Sequence, residues 1–138
     1  MSSLNSTEVL TVAVASDDGR SYIDRHFGDA AGYSLYALSE SGVKFLGRVL
    51  NTTEEDKDDE DHGDAEKARG IASILAEHGV QVTVSRVYGP NLKRIRSKFV
   101  CVIDQHGTME QMLERLKGMH SELARQFANT SSRELIRL

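Results

Sequence analysis

No tryptophan, a single cysteine and no long apolar run occur in these 138 residues, and each shortage removes a class of protein. Without about 18–20 consecutive apolar residues, nothing reads as a membrane-spanning helix. The opening Met1–Glu8 is polar and lacks the basic-then-apolar order of a secretory signal, so it reads as a short disordered end on a cytoplasmic protein. Cys101 cannot form an internal disulfide, and alone it cannot supply a four-thiolate zinc or iron–sulfur site. Its place within Phe99-Val-Cys-Val-Ile103 reads as a buried strand position. A Walker-type phosphate loop, a Gly-rich dinucleotide loop and a legible nucleophile–base pair are also lacking, so the sequence does not read as an enzyme.

What remains fits one compact domain, for which about 100–150 residues is the usual size. The apolar share of 39%, rich in Val, Ile, Leu and Ala, suffices for one modest core. The net charge of −4 hides an uneven distribution. Eight carboxylates stand between Glu54 and Asp64 against one lysine, and the rest of the chain holds 13 acidic and 16 basic residues. Like charges so closely spaced repel and have little apolar surface to bury, so residues 51–63 read as an acidic loop. Asp56, Asp58 and Glu60 alternate as in a calcium loop, but Asp61 stands where that loop needs glycine.

Hydrophobic periodicity predicts strands over Val9–Ala15, Tyr33–Leu38, Val43–Leu50, Val80–Val87 and Phe99–Ile103. It predicts helices over Asp64–His78, Leu92–Ser97 and Thr108–Phe127, the last opened by a Thr108/Gln111 capping box and weakened at Gly118. Short connections make strands 1–3 an antiparallel meander. Strands 4 and 5 enter through helices and so run parallel to strand 1. The expectation is a five-stranded mixed sheet of order 3-2-1-4-5 with three helices, an α/β fold in three layers like that of ribonuclease H. Residues 1–8 and 128–138 flank this 9–127 domain as flexible ends, although Leu135, Ile136 and Leu138 are apolar enough to dock.

In that topology the loops after strands 1, 3, 4 and 5 meet at one edge, and open α/β sheets bind ligands beyond the carboxyl ends of their strands. The edge would gather His26, His62, Gly89-Pro90-Asn91 and His106. Each has a plainer reading: His26 bonding its own loop, His62 a solvated loop residue, His106 a turn residue. His78 and His120 read as structural. Gly89-Pro90-Asn91 before a helix start could offer backbone N–H groups to an anion, or be an ordinary tight turn. Lys93, Arg94, Arg96 and Lys98 add positive charge, but without interleaved aromatics they read as a solvated face rather than a nucleic-acid footprint.

Taken in order, Val12-Ala-Val-Ala15, Ile23-Asp24, His26-Phe-Gly-Asp-Ala30, Tyr33-Ser-Leu-Tyr36, Arg48 with Asn51, His62-Gly63, Val82-Thr-Val84 and Gly89-Pro90-Asn91 resemble the dinitrogenase iron–molybdenum cofactor biosynthesis family. The resemblance spans about Val9 to Leu116. It implies a ribonuclease-H-like fold without nuclease chemistry, and a non-catalytic carrier or assembly role for a molybdenum–iron or molybdenum–copper sulfide cluster. Protein partners in cluster assembly are implied as well, and neither nucleic acid nor membrane. Carried onto this chain, the cofactor-binding residues are His26, Phe27, Gly28, His62, Gly89, Pro90 and Asn91, with His26 and His62 as metal ligands. Asp29 departs from the family, whose members often carry a basic residue there, and the acidic stretch before His62 departs from their glycine- and histidine-rich one.

Two other readings stand beside it. A metal-dependent nuclease would need carboxylates converging on two metals, and only Asp17 and Asp18 follow strand 1. A cofactor-free regulatory or protein-interaction module would use the acidic loop and the tail instead.

Overall fold

A computed structural model describes residues 9–52, 60–90, 92–105, 107–131 and 133–138, with 60–68 described as backbone. The strands are β1 (Leu10–Ser16), β2 (Gly32–Leu38), β3 (Val43–Leu50), β4 (Val82–Ser85), β5 (Val100–Ile103) and β6 (Ile136–Arg137). The helices are α1 (Glu60–Glu77), α2 (Leu92–Arg96), α3 (Met109–Gly118) and α4 (His120–Ala128), with a 3₁₀ turn at Phe27–Asp29. They form a mixed sheet of order β3-β2-β1-β4-β5-β6. β2 lies antiparallel to both β1 and β3, while β4, β5 and β6 continue parallel to β1.

The alternation of side chains along the inner strands splits the core in two. On one face Ala13, Ala15, Tyr33 and Cys101 pack with Phe27, Ile71, Leu75, Ile95 and Phe99, under α1 and α2. On the other Val12, Val14, Val84 and Val102 pack with Met112, Leu116 and Leu123 of α3 and α4. Burying apolar side chains of this size contributes about 1.5–3 kcal/mol each, so both faces must be covered for the sheet to persist.

Three expectations are corrected. The sheet has six strands, not five, because Ile136 and Arg137 pair with Val102 and Ile103. The sixth strand comes from the expected flexible tail, and two residues are too few to show a period of two. The long last helix is two helices: Met119, at φ −109° and ψ 13°, breaks it directly after Gly118. Glycine is costly within a helix, which is where this one ends; His120 and Leu123, three residues apart on one face of α4, are both buried. The first helix starts at Glu60 rather than after Asp64, taking in part of the expected acidic loop. Carboxylates in a first turn are favoured by the helix dipole. The Thr108/Gln111 capping box is present as expected, with N–H···O distances of 3.0 and 3.1 Å.

Candidate functional site

The strands β1, β3, β4, β5 and β6 all run the same way, and the connection after β1 meets the one after β4 at a single edge. There the backbone itself joins the two: His26 and Val87 form an isolated parallel bridge, and the Phe27 N–H donates to the Val87 carbonyl at 2.8 Å. His26 is exposed and stands at the N-terminus of the 3₁₀ turn, its carbonyl accepting the Asp29 N–H at 2.8 Å. Gly89 follows with φ +82°, a left-handed conformation that suits glycine. A methyl group placed there would lie 2.5–2.8 Å from Nδ1, Cγ and Cε1 of His26, so the imidazole occupies the space that the missing side chain leaves.

Phe27 and Gly28 hold this loop in place rather than facing outward. The Phe27 ring is 1% exposed and packs on Tyr33 and Tyr88, with ring centroids 4.9 and 5.2 Å away. The Tyr33 hydroxyl donates to the Phe27 carbonyl at 2.8 Å. Asn51 Nδ2 donates to the carbonyls of Gly28 and Ala30, at 2.9 and 3.0 Å. Arg48 reaches across β2 to Ser34 Oγ (3.0 Å) and the Ser16 carbonyl (2.8 Å), and the close approach needs glycine at position 32. Arg48 and Asn51 thus fix the floor of the β1 loop, a role that their spacing alone could not reveal.

Pro90 is exposed on the turn that leads from Gly89 into α2. That helix is only five residues long, and the Leu92 N–H already donates to the Gly89 carbonyl at 3.2 Å. One N–H expected for an anion is therefore committed. His62 stands in the first turn of α1, nine residues before Ile71, whose side chain approaches Gly28. At 1.5 Å per residue that is about 13 Å along the helix axis. Asn91, His106 and the His62 side chain lie outside the described residues. The structure therefore brings His26, Phe27, Gly28 and Gly89 together, with Pro90 beside them.

Sequence reasoning missed the polar network around Asp104, the first residue after β5. Asp104 is fully buried; Tyr22 donates to it at 2.6 Å and Arg115 at 3.2 Å. Burial and this carboxylate raise the Tyr22 pKa far above the ordinary phenol value, so the hydroxyl keeps its proton and acts as donor. Arg86 lies 5.5 Å from the Tyr22 ring centroid and pairs with Asp24 at 2.6 Å. The topology placed residue 104 at this edge, which was the available signal.

The charges at the edge are mixed. Arg25 pairs with Asp17 at 2.8 Å, as Arg86 does with Asp24. The Asp17 carboxylate also accepts the Ala31 N–H, which with Arg25 holds its pKa below the usual range. The Asp18 carboxyl is lowered to about 2 by N–H donors from Arg20 and Ser21. Cys101 is inside the sheet, where burial pushes its thiol up to about 11; a protonated, enclosed sulfur is a poor metal ligand. Among the described residues no three His, Cys, Asp or Glu gather as a metal site. Among the described residues the edge offers one exposed imidazole and two guanidinium groups that are already paired with carboxylates, and it does not enclose a bare ion.

The exposed His26 stands in an α/β domain at the switch point beyond the carboxyl ends of the strands, the place where open α/β sheets usually bind ligands. The chain is a member of the dinitrogenase iron–molybdenum cofactor family, which matches residues 8–119, a family concerned with the biosynthesis and handling of that cofactor. No curated protein matches the chain. Among the described residues no helix is long and apolar enough to cross a membrane.

Proposed function

We propose that this chain is a non-catalytic carrier or assembly protein for a molybdenum- or iron-containing metal–sulfur cluster, taken up at the edge formed by His26, Phe27, Gly28, His62, Gly89, Pro90 and Asn91. The observation that carries the reading is the seating of the exposed His26 imidazole against Gly89, which unites the β1 and β4 loops at the sheet's switch point. His26 and His62 would supply metal bonds, and backbone groups with Arg25 and Arg86 the electrostatic grip. Such a hold without thiolates suits a cargo that must be handed on to protein partners. The reading includes a cytoplasmic location and a ribonuclease-H-like domain that starts at residue 9 and takes in β6.

The test is to titrate anaerobic protein with a preformed molybdenum–iron–sulfur cluster and follow the visible absorbance that travels with the protein. His26→Ala should weaken uptake, and His26→Ala with His62→Ala should abolish it. If the double variant takes up cluster as the parent does, the assigned site is wrong.

A second reading has one observation in its favour. Because Arg25 and Arg86 already pair with Asp17 and Asp24, the edge is no simple anion trap. A cofactor-free regulatory or interaction module would be colourless and metal-free after gentle anaerobic purification. It would capture a partner through residues 54–61, and lose it on their deletion.

A further inference from the structure

At the opposite edge, where β4 and β5 begin, lies a shallow cavity of about 450 Å³, broadly open to solvent. Its apolar lining is mainly the half-buried Phe127, with the buried Val80 and Phe99 behind it, and its polar lining includes Gln81, Lys98 and Arg133. Arg133 is the unusual member. Only 9% exposed, it donates to the Ser97 carbonyl at 2.8 Å and the Phe127 carbonyl at 2.7 Å, and its guanidinium lies 4.9 Å from the Phe127 ring centroid. Its Nε is buried without a hydrogen-bond partner. Arg25, Arg86, Arg115, Lys117 and Arg125 each pair with a carboxylate, but among the described residues none pairs with Arg133 or Lys98.

Carbonyl contacts orient a guanidinium without neutralising it, and a buried charge lacking a counter-charge is costly. Burial accordingly lowers the Arg133 pKa. Gln81 has its Oε1 engaged by the Thr11 N–H at 3.0 Å, while its amide nitrogen donates to no described residue. The cavity thus combines a fixed positive charge, two side-chain donors with no described acceptor and an apolar wall.

We infer that this cavity is a binding site for a small organic carboxylate with an apolar body, its carboxylate held by Lys98 and Gln81 in the field of Arg133 and its body against the Phe127 ring. The inference is independent of the His26 edge.

The test is a titration of the full chain with benzoate, followed by amide and Arg133 Nε–H resonances in NMR, with neutral benzamide as the control. Benzoate should give saturable shifts at Val80, Gln81, Lys98 and Arg133, and benzamide should not. Lys98→Met should weaken binding about tenfold, the scale of one charge-assisted hydrogen bond. Gln81→Glu keeps an acceptor for Thr11 but replaces the donor by a negative charge, so it should abolish binding while the protein stays folded. No saturable benzoate shift, equal shifts with benzamide, or unchanged affinity in both variants would overturn the inference.

Discussion

The imidazole of His26 fills the space above the Cα of Gly89, so that two loops 63 positions apart in sequence share one volume. Gly89→Ala would force a choice. The new methyl would sit 2.5 Å from Nδ1, and the exposed ring is free to swing aside at little cost. The φ of +82° is not so easily relieved, and a left-handed non-glycine residue costs about 1–2 kcal/mol. Gly89→Ala should therefore lower stability by about that amount in urea denaturation, and shift the His26 ring resonances more than those of His78. Unmoved His26 resonances would contradict the contact.

Tyr22 and Asp104 yield a second prediction. The hydroxyl is one of the donors that keep a fully buried carboxylate tolerable, the others including Arg115. Tyr22→Phe removes that donor with almost no change of shape. The loss should be about 1.5–3 kcal/mol, the usual worth of a hydrogen bond to a charged group. Chemical denaturation checks it, and a change below about 0.5 kcal/mol would mean that Arg115 and the remaining contacts of Asp104 suffice.

The sequence showed most clearly what a period can show. Val12-Ala-Val-Ala15 and Phe99–Ile103 carry the β-branched, uninterrupted character of strands buried on both faces, and Thr108 with Gln111 announces its helix by side-chain chemistry alone. The order of connections then placed the loop with His26 beside the one with Gly89. Illegible were the features made by contacts distant in sequence. Nothing local says that Phe27 turns inward to stack on Tyr33 and Tyr88 while its neighbour His26 stays out. Nor does anything local say that Arg48 spans two strands to reach Ser16. The sixth strand is the extreme case, since its two residues are ordered by β5 and not by their own pattern.

That dependence makes the C-terminal segment a test of what closes the sheet. Leu135, Ile136 and Leu138 pack against the two core clusters, and the Leu138 N–H donates to Ile103 at 2.9 Å. Arg133 meanwhile ties the carbonyl ends of α2 and α4 together. Ending the chain at Asn129 should cost about 3 kcal/mol or more, taking about 1 kcal/mol for each partly buried side chain. The expected readout is a lower urea midpoint, with amide protection lost first in β5. A truncated chain as stable as the parent would mean that β6 only decorates the edge.

The turn after β1 offers a pH signature with a definite sign. The Asp18 carboxylate accepts the N–H groups of Arg20 and Ser21 at 2.8 and 3.0 Å, and these hold its pKa at about 2 against an ordinary 3.8. A lowered folded-state pKa means that the ionised form favours the native turn. The stabilisation is therefore complete above 3.8 and is lost as pH falls through about 2. Asp18→Asn keeps an acceptor but not the charge, so near neutrality it should melt below the parent. The gap should narrow as pH drops across that interval, because the parent's own carboxylate becomes protonated. Melting curves of both proteins at matched pH and salt read this directly, and a gap that stays constant down to pH about 2 would show that the charge is not what the turn uses.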